Sequence, residues 1–182
     1  MNSTGIIIIL IVIIICILVT LYINMYNKLT FSNIKINETE AQIDSKLRKK
    51  YDLINKSIAI IKNNIEEENK VFEEIIKLRS RKISNFDLDR KLAEATTEFF
   101  TIKEKNKDLQ NNEEIKKIGT ELEEIDIELE NLRKYYNENI TIYNKLIQTF
   151  PTNIVATISK YKERLFYDRT DMSDDDYNDF KL

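Results

Sequence analysis

Residues 6–19 are apolar without exception, and as far as Ile23 only Thr20 and Tyr22 interrupt the run. No acidic or basic side chain occurs before Lys28. A helix over residues 5–26, rising ~1.5 Å per residue, reaches roughly 33 Å, about the thickness of a bilayer's hydrocarbon core. The sequence therefore predicts a transmembrane anchor over residues 6–26, with residues 1–5 as a short extracytoplasmic N-terminus.

A cleaved leader fits poorly. It would carry a basic start, a shorter apolar core and a small-x-small cleavage site. Residues 1–5 hold no Lys or Arg, and residues 21–26 hold no small pair. Cys16 follows Ile14 and Ile15 rather than the small residues that lipidation requires, and Asn2 excludes N-myristoylation. Cys16, the one cysteine of the chain, is expected to behave as a small apolar side chain. Flanking charge sets the orientation: Lys28, Lys35, Lys46, Arg48, Lys49 and Lys50 follow the span, and nothing basic but the amine precedes it. Cationic segments resist translocation, so the N-terminus is expected outside and the bulk of the chain in the cytoplasm. Tyr22 and Tyr26 fall where an interfacial aromatic belt belongs.

About 155 residues remain beyond the anchor, enough for one domain with a modest core. The chain has 2 Gly, 1 Pro, no His and no Trp, and 32% of its residues are charged. Few helix breakers among many Glu, Lys, Leu and Ile indicate long helices. Gly5 and Gly119 lie too far apart for a glycine-rich phosphate loop. Without His, and with one intramembrane Cys, the chain lacks the ligands of structural zinc and of His-based zinc enzymes. The formal net charge of −3 gives no reason to expect nucleic acid as a partner.

Three stretches carry apolar residues at alternating steps of three and four, the mark of helices packed along one face. The first holds Ile43, Leu47, Tyr51, Ile54, Ile58, Ile61, Ile65, Phe72 and Ile75. The second holds Leu88, Leu92, Ala95, Phe99, Ile102 and Leu109, and the third runs from Ile115 and Ile118 through Tyr136 and Tyr143 to Ile147 and Phe150. Residues 84–87 offer N-caps to the second helix, and Lys77, Arg79, Arg81 and Lys82 suit the end of the first. Asn111 or Asn112 is expected to cap the third helix, and Pro151 to end it at Phe150. Thr152 or Asn153 would then cap a short fourth helix with Ile154, Ile158, Tyr161 and Leu165 on one side. Beyond Tyr167 the chain turns Asp-rich, and residues 168–182 have too little apolar content to fold alone.

The prediction is thus an all-α chain: a transmembrane helix, then an elongated antiparallel bundle of three long helices and a short fourth over residues 27–167. Its first helix, unbroken to about residue 83, would reach roughly 80 Å, against ~33 Å for the second. The stripe around Ile43, Leu47 and Ile54 is then covered by the later helices, by a bend near Asn55, or by a second protomer.

Residues 41–54, AQIDSKLRKKYDLI, are similar to the signature of the LemA family, an Ile-Asp-x-x-Leu followed by a basic group and Tyr-Asp-Leu-Ile. Residues 131–156, NLRKYYNENITIYNKLIQTFPTNIVA, resemble the family's second block, with its Tyr-Asn and Phe-Pro-x-Asn elements. Anchor, first block, middle and second block come in the family's order, so the resemblance covers nearly all of residues 6–167. It implies a single-pass bacterial cell-membrane protein with an N-out anchor, an internal antiparallel bundle and no assigned catalytic residue. Where many members carry Pro-Asn after Leu-Ile this chain has Asn55-Lys56, and the Asp-rich segment is outside the shared pattern. Family members stand beside membrane-bound zinc proteases or help organise internal membranes, which implies adaptor or scaffold roles.

Lys46, Arg48, Lys49 and Lys50, with Leu47 and Ile54, form the candidate interaction surface. The cations can bind an acidic partner, bind lipid, or form a solvated or internally paired face; Asp44 and Asp52 are placed to pair with them. Glu121, Glu123, Glu124, Asp126, Glu128 and Glu130 read as a solvated face, partly paired with helix one. Tyr135, Tyr136, Tyr143, Phe150, Tyr161, Phe166 and Tyr167 read as core at helical spacing, with Tyr136 and Tyr143 bonding Asn137 or Asn144. The basic fourth helix can pack on the bundle or lie on a membrane. The Asp-rich segment lacks the Gly and Glu of a calcium loop. The expectation is a non-enzymatic protein without cofactor, acting as a protein-binding adaptor. A self-associating membrane scaffold and an accessory subunit of a membrane protease are the alternatives. The expected partners are lipid through the anchor, an unidentified protein and a second copy.

Overall fold

The computed structural model describes residues 3–64, 70–78 and 84–167. Among these residues the chain is all-α: α1 (Ser3–Asn64), α2 (Lys70–Leu78), α3 (Asn85–Lys105), α4 (Lys107–Asn111), α5 (Glu113–Gln148) and α6 (Thr152–Ile158). Ile65, Arg79, Arg81, Lys82, the expected end of helix one at residue 83 and the Asp-rich segment 168–182 lie outside the described residues. α1 is helical without interruption through Asn55, whose side-chain amide donates to the Tyr51 carbonyl at 2.9 Å. Asn55 keeps a backbone N–H that a proline would lack, so the helical ladder continues through it.

Contacts divide the chain into two compact units, to both of which α1 and α5 contribute. The first comprises residues 3–38 with Tyr136–Phe166. Its apolar turns at the start of α1 are exposed, and α1 is the one described helix apolar and long enough to cross a membrane. A few residues on, Leu29, Ser32 and Ile36 turn one face of the same helix inward. Leu29 packs with Leu146, Val155 and Ala156, flanked by Met25, Ile147 and Tyr161.

Several expectations for this unit are corrected. α5 ends at Gln148 rather than at Phe150, and Phe150, expected on the buried stripe, is 79% exposed. Pro151 disfavours helix at the residue before it, and the Thr152 hydroxyl shares its one proton between the carbonyls of Leu146 (2.6 Å) and Thr149 (2.9 Å), closing the end of α5 instead of capping α6. Neither Thr152 nor Asn153 is the N-cap of α6, which is Pro151 without a side-chain bond. The buried face of α6 is Thr152, Val155 and Ala156, whereas Ile154, Ile158 and Leu165 are exposed. α6 stops in a left-handed turn with Lys160 at φ 58°, where the amides of Lys160 and Tyr161 bond the carbonyls of Thr157 (3.2 Å) and Ala156 (3.0 Å).

Residues 161–166 continue without helix and are fastened along α5 and α1. Tyr143 donates its hydroxyl to the Lys162 carbonyl at 3.0 Å, not to Asn144 as expected. Asn144 instead bonds the backbone of Arg164 twice, at 2.8 and 2.9 Å. The Arg164 guanidinium reaches Asn33 (3.0 Å) and Asn37 (2.6 Å). Burial pushes the Tyr143 phenol above its ordinary pKa, with the Arg164 charge opposing.

The second unit comprises Thr39–Tyr135 together with Tyr167. Ser84 caps α3 as expected, its hydroxyl accepting from the Asp87 amide at 3.1 Å. Asn112 caps α5 by accepting from Glu114 (2.9 Å) and Ile115 (3.1 Å). The predicted second helix is broken, however, at Asn106. This residue is extended (φ −121°, ψ 110°), and its side-chain amide bonds the Ile102 carbonyl at 2.9 Å, so it closes α3 and opens α4. Leu109 remains buried beyond the break. Buried Phe72 and Ile75 of α2, Leu92, Ala95 and Phe99 of α3, and Ile115, Ile118, Leu122, Ile125 and Leu129 of α5 supply the core.

Candidate interaction surface

The basic group on α1 faces the acidic run on α5. Lys46 pairs with Glu128, Lys49 with Glu121 at 3.8 Å, Lys50 with Asp126 at 2.5 Å and Lys56 with Glu114 at 2.7 Å. From Lys46–Glu128 at one end of the set to Lys56–Glu114 at the other, positions on α5 fall as those on α1 rise, so within this unit the two helices run antiparallel. Arg48 bonds Asp44 one turn back at 2.8 Å, while Asp52 is exposed. The Asp44 hydrogen bond, then its charge, raises the Arg48 pKa; Glu114 does the same for Lys56. Water screens pairs as exposed as these, and they fix register more than they add stability.

Lys50 differs from its neighbours, being fully buried up to its ammonium. Stripping such a group of water is costly unless its donors are met, so the Asp126 carboxylate makes its burial possible. Leu47 and Ile54 are both 0% exposed within the single chain. The stripe is covered at these two positions within the chain, on turns of α1 that α5 meets through the ion pairs above, and no bare apolar patch remains there. Arg48 and Lys49 are the members of the candidate set that stay mainly in solvent.

A second polar site lies where apolar counting does not look. Asp89 on α3 is 1% exposed and accepts from the Arg133 guanidinium of α5 at 2.5 Å. Tyr167 brings its hydroxyl to the Asn85 carbonyl (3.1 Å) and to Asp89 (3.3 Å), with its ring stacked on Phe86 at 4.3 Å. The other Asp89 oxygen is buried without a hydrogen-bond partner. The legible signal is phase: Asp89, Leu92, Thr96 and Phe99 step by three and four, and all four are buried. Of the aromatic set, Tyr136, Tyr143 and Tyr167 are buried, while Tyr135, Phe150 and Phe166 are exposed.

Beside this pair, α3 and α5 leave a groove lined by Ala93, Thr97, Ile127, Glu130 and Arg133. Ile127 is a large apolar side chain there and is 63% exposed. No cluster of three or more potential metal ligands occurs among the described residues.

The model of the LemA family matches residues 39–178. The matched stretch starts beyond the apolar segment and takes in most of the Asp-rich one, which the two motif blocks leave out. No curated protein matches the chain.

Proposed function

We propose that this chain, which belongs to the LemA family, is a membrane-tethered, non-enzymatic adaptor that binds another protein. The observation that carries the reading is the double use of α1 within one unit. Its first turns are apolar and exposed, and its following turns bury Leu29 and Ile36. A span over residues 6–26 that runs on as a packed helix confines the domain to two dimensions and raises its effective concentration beside membrane partners. The Lys and Arg residues downstream of the span favour a cytoplasmic domain and an outside N-terminus in a bacterial cell membrane.

The groove around Ile127 is the surface best suited to a partner: an exposed apolar side chain with Glu130 and Arg133 at its rim, the pattern of a contact anchor with a polar surround. The basic group is largely occupied by α5, so we place recognition on α3 and α5 instead. The test is crosslinking of full-length protein in its own membrane, wild type beside Ile127→Asp. A stoichiometric protein partner captured by the wild type and lost in the variant, at unchanged helicity, supports the adaptor. Concentration-dependent homo-oligomers without such a partner would replace it with the scaffold reading.

A further inference from the structure

α6 has two faces, and only one is used. Thr152, Val155 and Ala156 are buried, whereas Ile154 and Ile158, spaced by four, are 52% and 62% exposed, and Phe150, which precedes Pro151 and lies outside the helix, is 79% exposed. Three large apolar side chains left in water within nine residues mark a contact. Its position along α1 says with what. Ser159, next to Ile158, brings its hydroxyl to within 3.4 Å of the Tyr22 hydroxyl. The Tyr161 hydroxyl bonds Thr30 at 2.8 Å, and its ring centroid lies 6.3 Å from that of Tyr26. Tyr22 and Tyr26 are the aromatic pair at the end of the apolar segment, where a helix leaves the hydrocarbon for the headgroups.

We infer that the outer face of α6, Ile154 and Ile158, together with Phe150 just before the helix, is a second membrane contact, seated at the headgroup boundary of the bilayer that residues 6–26 cross. The inference rests on the spanning role given to those residues above. Continuity with that span selects lipid over a second copy as the occupant, because α6 is bonded to the anchor at the level where lipid already surrounds it. Charge agrees: Lys28, two residues beyond Tyr26, and Lys160, at the end of α6, are exposed and suit anionic headgroups. The left-handed turn at Lys160 ends α6 within one residue of the Tyr22 contact. The contact adds a lateral attachment to the axial one, so it would restrain the first unit against rotation about the anchor axis.

The chain contains no Trp, so a single introduced Trp is an unambiguous reporter of depth. Full-length F150W, I158W, V12W and I127W variants are reconstituted in phosphatidylcholine–phosphatidylglycerol vesicles, with lipids brominated at shallow or deep acyl positions. F150W and I158W are expected to emit to the blue of I127W and to be quenched about twofold more strongly by shallow-brominated lipid. V12W should respond to the deep bromines, which reports the span independently. If V12W is quenched but F150W and I158W behave like I127W, the contact is refuted and the span stands. If V12W is not quenched either, the spanning role fails and the inference with it. Blue-shifted emission at 150 and 158 without bromine quenching would mean that protein covers these side chains, which also overturns the lipid assignment.

Discussion

Lys50 and Asp89 occupy positions that a hydrophobic side chain would normally hold. Ile43, Leu47, Lys50, Ile54 and Ile58 step by four and three, and all are buried. Counting apolar residues passes over the charge and selects Tyr51, which is only half-buried. A buried charge is legible in a sequence only together with its partner, and Asp126 and Arg133 lie 76 and 44 positions away from the groups they meet. The Arg133–Asp89 pair gives the sharper consequence, because both members are shielded from solvent. Replacing Arg133 by Met leaves the Asp89 carboxylate buried with only the Tyr167 hydroxyl opposite, and should cost about 3 kcal/mol or more. The double variant Arg133→Met with Asp89→Leu removes both charges and should recover most of that loss. Urea unfolding of wild type, single and double variants in the same detergent measures it; equal losses in single and double would refute the account.

At the level of elements, the caps of α3 and α5 and much of their stripes carried across, whereas the cap and the buried side of α6 and the helix endings did not. Ser84 and Asn112 begin α3 and α5 because a short polar side chain before an apolar run has one obvious use, to accept from the first free amides. The break at Asn106 and the early end of α5 depend instead on which carbonyl a side chain finds, Ile102 for Asn106 and Leu146 for Thr152. Spacing does not encode that choice. Gly119 makes an element-scale test, since it lies inside α5 with an ordinary helical backbone. A Cβ there would meet the Lys103 ammonium nitrogen at 3.1 Å, the mobile end of a long side chain, and the Phe100 and Phe99 rings only at ordinary contact distances of 3.5 and 3.7 Å. Gly119→Ala should therefore gain about 0.5–1 kcal/mol from helix propensity, while Gly119→Leu should lose stability against the two rings. Thermal unfolding by circular dichroism decides the signs.

For the whole molecule, the decisive fact is where apolar surface is left over. The stripe on α1 that an upright helix would have exposed is closed inside one chain at Leu47 and Ile54. Among the described residues, the first unit leaves apolar side chains exposed along the start of α1 and at Phe150, Ile154 and Ile158, and the second leaves Ile127 exposed. Self-association is therefore not needed to bury the second unit's core, although the sequence left a second protomer open as its cover. A sequence shows that a stripe must be covered; which segment of comparable length covers it follows from the match of Lys46, Lys49, Lys50 and Lys56 to acidic residues on α5. The two causes of burial predict different losses. Leu47→Asp or Ile54→Asp places an unpaired carboxylate in an apolar core, and should destabilise the second unit by about 4 kcal/mol or more. Helicity and melting temperature of the full-length protein should fall together, at every protein concentration. Arg48→Glu, on the solvated side of the same turn, should leave both within error of wild type, because its one ion pair is local and exposed. Sedimentation of the same detergent samples separates the causes: Leu47→Asp protein that stays fully helical but shifts from dimer to monomer would put that stripe at an interface between copies rather than in the core of one.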